Sequence, residues 1–234
     1  MLAAMQIARL LFSQGFGSRR ECEGLCASGR VVVDAQVLDN PFAEVEPQDL
    51  RFVVDGVEWP WCAHALVMLH KPAGVECSRS PKHHAGVLSL LPAPLRRRGV
   101  QPVGRLDADT TGLLLLTDDG SLIHRLTSPK HHVPKVYEVT VKHAVEPALL
   151  AALASGVVLD DDPAVVRAEN VQSTGTHSLQ LTLTEGKYHQ VKRMVAAAGN
   201  RVEALHRSAF GSLQLPADLA PGHWRWIDPS IIGA

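Results

Sequence analysis

Two aspartates stand closest to chemistry in this sequence. Asp107 and Asp109 lie in the stretch Gly104–Gly120, GRLDADTTGLLLLTDDG, in a polar loop bounded by glycines and followed by four consecutive leucines. A carboxylate anchored beside a buried strand can attack as a nucleophile or shelter positive charge at a reacting carbon. Arg105, two residues before Asp107, could pair with it or with a phosphate. The bland alternative is a turn in which Asp and Thr side chains bond to nearby amides. Tyr137 sits on an alternating segment and, as a lone strand tyrosine, reads first as a packing residue. Lys192 and Arg193 lie on a helical stretch whose plain reading is a solvated face. His83-His84, His131-His132 and Cys22-x3-Cys26 invite a metal reading. Adjacent histidines point in different directions, however, and the cysteine pair fits the buried side of a helix. No Cys-x2-Cys or His-Glu-x2-His spacing occurs, so no metal is expected.

These residues need a scaffold, and 234 residues with 46% hydrophobic content are ample for one. Four cysteines are too few for a disulfide framework, which points to a reducing compartment. No apolar run reaches membrane-spanning length. The start, MLAAMQIARLLFSQG, lacks the charged region and cleavage site of a secretory signal. A cytoplasmic monomer is expected. The net charge is -1, but the charge is uneven. Arg51 stands against seven acidic residues between 31 and 60, while basic residues gather at 19–30, 96–105, 125–142 and 187–207. Clustered positive charge can bind phosphate at zero net charge.

Residues 1–57 read as a small α+β unit. Ile7, Leu10 and Leu11 mark a helix over 5–13. Ser18-Arg-Arg-Glu21 is a capping box for a second helix, which buries Cys22, Leu25 and Cys26 and ends at Gly29. Val31–Val33 and Arg51–Val54 are strands, and Asp55-Gly56 marks a boundary before a linker at 58–64. The remainder, 65–234, alternates strands and helices. Its strands are expected near 65–69, 113–117, 135–142, 165–170, 178–184, 202–205 and 213–215. Its helices are expected near 121–127, from Pro147 to Gly156, and at 188–198. The fold class is α+β.

Two family resemblances compete for the aspartate loop. Asp-x-Asp-x-Thr resembles the motif of haloacid-dehalogenase-type phosphatases, but there the apolar strand precedes the aspartates, and here it follows. Gly-Arg-Leu-Asp107 with Thr-x-Gly-Leu-Leu-Leu-Leu-Thr-x-Asp-Gly120 instead resembles the signature of pseudouridine synthases of the RsuA type. Lys71-Pro-x-Gly74, Ser128-Pro-Lys-His-His132, Lys135-x-Tyr137, Glu185-Gly-Lys-Tyr-His-Gln-Val-Lys-Arg-Met194, Leu205-His-Arg207 and Leu219-Ala-Pro-Gly222 extend the likeness in the family's order. Residues 1–57 resemble an S4-type RNA-binding domain. The resemblance implies a catalytic domain on a mixed, largely antiparallel sheet flanked by helices. It implies isomerisation of a uridine in 16S rRNA, of the type at position 516, on free RNA or a small-subunit assembly intermediate. Asp107 would be the catalytic carboxylate. Tyr137 would face the base, and Lys192 would pair with Asp107. Arg105 and Arg193 would touch substrate, and Arg19, Arg20 and Arg30 would contact phosphate. No cofactor is implied. The S4 likeness is imperfect: Asp34-Ala35 stands where an Asn/Asp-Gly turn is usual. A non-catalytic rRNA-binding assembly factor and a synthase acting on 23S rRNA remain the alternatives.

Overall fold

The computed structural model describes residues 3–78, 80–160 and 162–232. The outermost residues of the two expected domains, 1–2 and 233–234, lie outside them. Contacts divide the chain into two units: Met1–Ala65 with Leu91–Gln101, and Leu66–Leu90 with Pro102–Ala234. Among the described residues no helix is long and apolar enough to cross a membrane.

In the smaller unit, helix α1 spans Ile7–Ser13, two residues later than the periodicity predicts. Met5–Gln6 instead pairs with Glu44–Val45, and the amides of Ile7 and Ala8 are taken by the carbonyls of Ala43 and Pro41. Helix α2 spans Arg19–Ala27 and begins on the expected box, with Ser18 and Glu21 each bonding the other's backbone amide. Its inner face buries Cys22 and Cys26 in a core with Ile7, Leu10, Leu11, Val31, Val33, Phe52 and Val54. Burial pushes the Cys22 thiol up to about 11. Strands β1 (Val31–Val33), β2 (Gln36–Val37), β3 (Arg51–Val54) and β4 (Val57–Pro60) form an antiparallel sheet in the order β2-β1-β3-β4. Asp55-Gly56, read as a boundary, is a two-residue hairpin loop: Val54 pairs with Val57, and both loop residues have positive φ. Asp-Gly is the dipeptide such a turn favours. Residues 58–60, expected in the linker, thus complete the sheet, and Trp59 stands edge-on to Phe16 with centroids 5.2 Å apart.

Helix α3 (Ala93–Arg97) also belongs to this unit by its contacts, although it falls inside the stretch read as the larger domain. Arg98, just past it, donates to the Gln14 side chain at 2.5 Å and to the carbonyls of Cys62 and Ala63.

The larger unit is built on strands β5 (Leu66–Lys71), β6 (Thr111–Thr117), β7 (Lys135–Val141), β8 (Asn170–Gly175), β9 (Ser178–Leu183), β10 (Val202–Phe210) and β11 (Trp224–Trp226). Their order is β8-β9-β7-β10-β6-β5-β11. Along this path every neighbour is antiparallel except β6 and β10. The fold is α+β on a mixed, largely antiparallel sheet, as expected. Leu113–Leu116 are fully buried, the pattern of a strand covered on both faces. Helix α4 (Gly120–Thr127), capped by the Asp119 carboxylate, packs Leu122 and Leu126 beside Leu66, Met68, Leu113 and Leu115. Helices α5 (Pro147–Ser155) and α6 (Gln190–Ala197) cover the other half, packing Leu149, Leu153, Val191, Met194 and Val195 on Val139, Leu179, Leu181 and Leu205. The strand expected at 165–170 is two strands, Asp162–Val166 and β8, and β10 runs five residues beyond its expected end.

One local choice works against the fold. In the β1–β2 hairpin Val33 pairs with Gln36, so Asp34 and Ala35 are the loop, with φ of 48° and 61°. Alanine in the left-handed region is strained by about 1–2 kcal/mol. Ala35→Gly should therefore stabilise the protein by about 1 kcal/mol, net of the extra chain entropy. Urea unfolding measures it, and a less stable variant would show that the turn is not strained.

Candidate active site

The Asp107 loop leads directly into β6, and a buried cation at the end of β5 holds it. Lys71 is wholly buried. Its Nζ donates to the carbonyls of Thr110 at 2.8 Å, Pro72 at 3.0 Å and Ala108 at 3.2 Å. Burial pulls its pKa below the usual lysine value. The Gly74 amide donates to the same Ala108 carbonyl, and the Thr110 amide to the carbonyl of Asp107. At the far end of the loop Gly112 has φ of 109° and lies against β10. A Cβ there would come within 2.3 Å of the Arg207 carbonyl, so only glycine permits the parallel joint. Arg207 is itself buried and donates from Nε to the Leu113 carbonyl.

Helix α6 supplies the partners of the carboxylate. Lys192 Nζ lies 3.0 Å from Asp107 Oδ2, and His189 Nε2 lies 3.2 Å from Oδ1. Lys192 lies in the first turn of α6, and His189 is the residue that precedes its start. Lys192 also bonds both oxygens of Asp109, at 2.7 and 2.9 Å. Burial opposes its charge, and the two carboxylates outweigh that opposition and hold its pKa above the usual lysine value. The hydrogen bond from Lys192 in turn lowers the pKa of Asp109. The helix begins at Gln190, not Tyr188, because His189 takes a left-handed conformation with φ of 48°. Gln190 stitches the turn before it, accepting from the Lys187 amide and donating to the Glu185 carboxylate.

Tyr137 pairs across β7 with Leu181 and Arg207. It lines a cavity of about 90 Å³ together with Asp107 and Thr110, whose hydroxyl is buried with no hydrogen-bond partner. Arg105 is exposed and lines both this cavity and a larger one of about 720 Å³ that shares Asp107, Lys187 and His189. That volume falls in the range of ligand sites. Another hollow, of about 540 Å³ along β6, β7, β9 and β10, has no Lys or Arg in its lining, so it offers a polyanion nothing.

Of the residues singled out by sequence, Asp107 and Lys192 meet directly, and Tyr137 and Arg105 line a cavity with Asp107. Arg193 lines neither cavity and donates instead to the Tyr188 carbonyl. In the smaller unit Arg19 and Arg20 are exposed, with Arg19 over the Phe12 ring at 5.6 Å. Arg30 is half exposed, and its fork closes on Asp55 at 2.5 and 2.6 Å. Sequence reasoning missed His189, Lys71 as the loop's anchor, and the grip of Lys192 on Asp109. No local spacing marks His189, because it stands outside the helix in a left-handed conformation. Among the described residues no group of three or more His, Cys, Asp or Glu could hold a metal ion.

Residues 65–197 match the protein family described as RNA pseudouridylate synthase. Ribosomal small subunit pseudouridine synthase A of Escherichia coli K12 is 38% identical over 215 residues, covering 91% of this chain and 92% of that protein. Its counterpart in Yersinia pestis is 40% identical over 197 residues, covering 84% and 83%. The uncharacterized RNA pseudouridine synthase YtzG of Bacillus subtilis is 37% identical over 224 residues, 94% of each chain. A solved structure described as a pseudouridylate synthase superposes with a TM-score of 0.69 at 31% identity, covering 97% of this chain and 98% of that one.

Replacing Lys71 with methionine fills its space but leaves three buried carbonyls without a donor. The Lys71→Met protein should lose about 2–3 kcal/mol of stability. Denaturant titration decides it: wild-type stability would mean that water replaces the ammonium.

Proposed function

The chain belongs to the RNA pseudouridylate synthase family, and from that premise we propose that it isomerises one uridine of 16S ribosomal RNA, of the type at position 516. As a member of the family it is an isomerase acting on RNA. Relatives named for the small ribosomal subunit support the choice of rRNA. The observation that carries the reading is the carboxylate of Asp107, held from two sides by Lys192 and His189 and sharing a cavity with Tyr137.

The reaction breaks the C–N bond between uracil N1 and the sugar and forms a C–C bond at C5, with no outside group entering. A stacked base is unreachable, so the nucleotide is extruded into the pocket. Asp107 serves as the catalytic carboxylate, attacking or sheltering the electron-poor centre while the uracil turns. Lys192 and His189 fix its direction. Tyr137 lies against the base, with its hydroxyl directed to the proton that must leave C5. Arg105 contacts substrate. The smaller unit acts as the S4-type RNA-binding domain expected over 1–57, gripping phosphate through Arg19 and Arg20. The protein works as a cytoplasmic monomer on rRNA or a small-subunit assembly intermediate.

Asp107→Asn preserves shape and removes charge. Tritium release from C5-labelled uridine in 16S rRNA should fall below detection while RNA binding persists, and EDTA should leave the wild type unaffected. Full activity in Asp107→Asn would overturn the mechanism.

Phosphate contacts release counterions, so affinity falls with salt. Arg19→Ala and Arg20→Ala should each flatten the log–log slope by about one. Arg30→Ala should flatten it less, because Asp55 already holds that guanidinium. Equal slopes in all three variants and the wild type would remove the smaller unit from RNA binding.

A further inference from the structure

The reaction as proposed needs only the reacting nucleotide, and Asp107, Tyr137 and Lys192 serve it. Most of the cavity of about 720 Å³ is left over. Two of its features have no part in the chemistry.

Tyr188 is 70% exposed. One face of its ring lies on the His189 ring, with centroids 3.8 Å apart and planes 20° apart. Arg193 holds its carbonyl. A large ring left in water contributes little to folding, and this one is backed by the imidazole whose other end reaches Asp107. It is a flat platform beside the imidazole that contacts Asp107.

Glu76 is the second feature. Its Oε1 accepts from the amides of His83 and His84 at 2.9 and 3.0 Å, and its Oε2 from the amide of Lys82 at 3.1 Å. Three consecutive amides on one carboxylate fix the loop, and the same bonds lower the pKa of Glu76. The loop's side chains Lys82, His83 and His84 line the cavity, as do Arg105, Lys187 and Tyr188. Cationic side chains suit a phosphodiester, and an open aromatic face suits a base.

We propose that this cavity is the subsite for the nucleotide adjoining the reacting uridine, with its base stacked on Tyr188 and its phosphate held by the Lys82–His84 loop that Glu76 pins. The inference rests on the chain's being an rRNA pseudouridine synthase. Stacking is indifferent to base identity, so the subsite supplies affinity and position, and sequence choice lies elsewhere.

The test measures affinity for transcribed 16S rRNA by filter binding, alongside kcat and KM for pseudouridine formation, with the full chain. Tyr188→Ala should weaken affinity and raise KM about tenfold, with kcat little changed. Tyr188→Phe should behave as wild type, because the ring and not the hydroxyl is used. Lys82→Ala should flatten the salt slope by about one. Glu76→Ala gives the sharpest sign. Removal of a negative charge should by itself tighten RNA binding, whereas release of the loop should weaken it. Glu76→Gln, which keeps an accepting oxygen, should bind more tightly than Glu76→Ala. Unchanged affinity in Tyr188→Ala, or Tyr188→Phe as weak as alanine, overturns the platform. Tighter binding in Glu76→Ala overturns the loop. A wild-type chain that binds 16S rRNA without forming pseudouridine overturns the reaction instead, and the affinities of the variants still decide the subsite.

Discussion

The ammonium of Lys71 is buried and donates to three backbone carbonyls, those of Pro72, Ala108 and Thr110. A charge in that position is tolerated only if its donors are used, because desolvation would otherwise expel it or strip its proton. The three carbonyls belong to two chain segments more than thirty residues apart, so the bond network exists only when β5 and β6 are paired. Once made, it fixes the backbone on either side of Asp109 and turns Asp107 toward α6. The order of dependence runs from a buried cation to a rigid loop to an aimed carboxylate. Lys192 and His189 can meet Asp107 at 3.0 and 3.2 Å because the loop they approach does not yield.

The sheet gives that loop its second boundary. β6 and β10 meet in the one parallel pairing along the sheet's path, through Thr111 with His206 and Gly112 with Arg207. Strands joined this way need a long crossover, and the chain between them carries Tyr137 on β7 and the Lys192 helix. The topology therefore brings to one place residues that are far apart in sequence. Asp107 is supported from β5 below and β10 beside it, and partnered from α6.

Local signals in the sequence were readable where four residues sufficed. Ser18 and Glu21 define the start of α2 by themselves, and Pro147 with Gly156 brackets α5. Four leucines before an Asp-Asp-Gly turn identify β6. The Asp55-Gly56 turn was misjudged because the same dipeptide closes a hairpin or ends a domain, and only the pairing of Val54 with Val57 decides. The start of α6 was misplaced because His189 leaves helical geometry, which brings its ring to Asp107, a demand set 82 residues away. Asp107, Tyr137 and Lys192 were reached through resemblance to a family, not through spacing. The burial of Lys71 and the grip of Lys192 on Asp109 depend on contacts that no local pattern carries. The ion pair of Arg30 with Asp55 was likewise out of reach, because Asp55 is brought to it by the hairpin between β3 and β4.

The smaller unit is not one continuous piece of chain: it closes with Leu91–Gln101 after Leu66–Leu90 has passed into the other. During synthesis, at roughly 5–20 residues per second, its core of residues 7–54 is made seconds before the segment that completes the unit. Strand β5, already released, waits, since β6 follows still later and β10 only near the end. The two units thus mature in an interleaved sequence. The clasp of Lys71 around the Asp107 loop cannot form before β6 emerges, and the carboxylate it aims meets its partners only when α6 has followed.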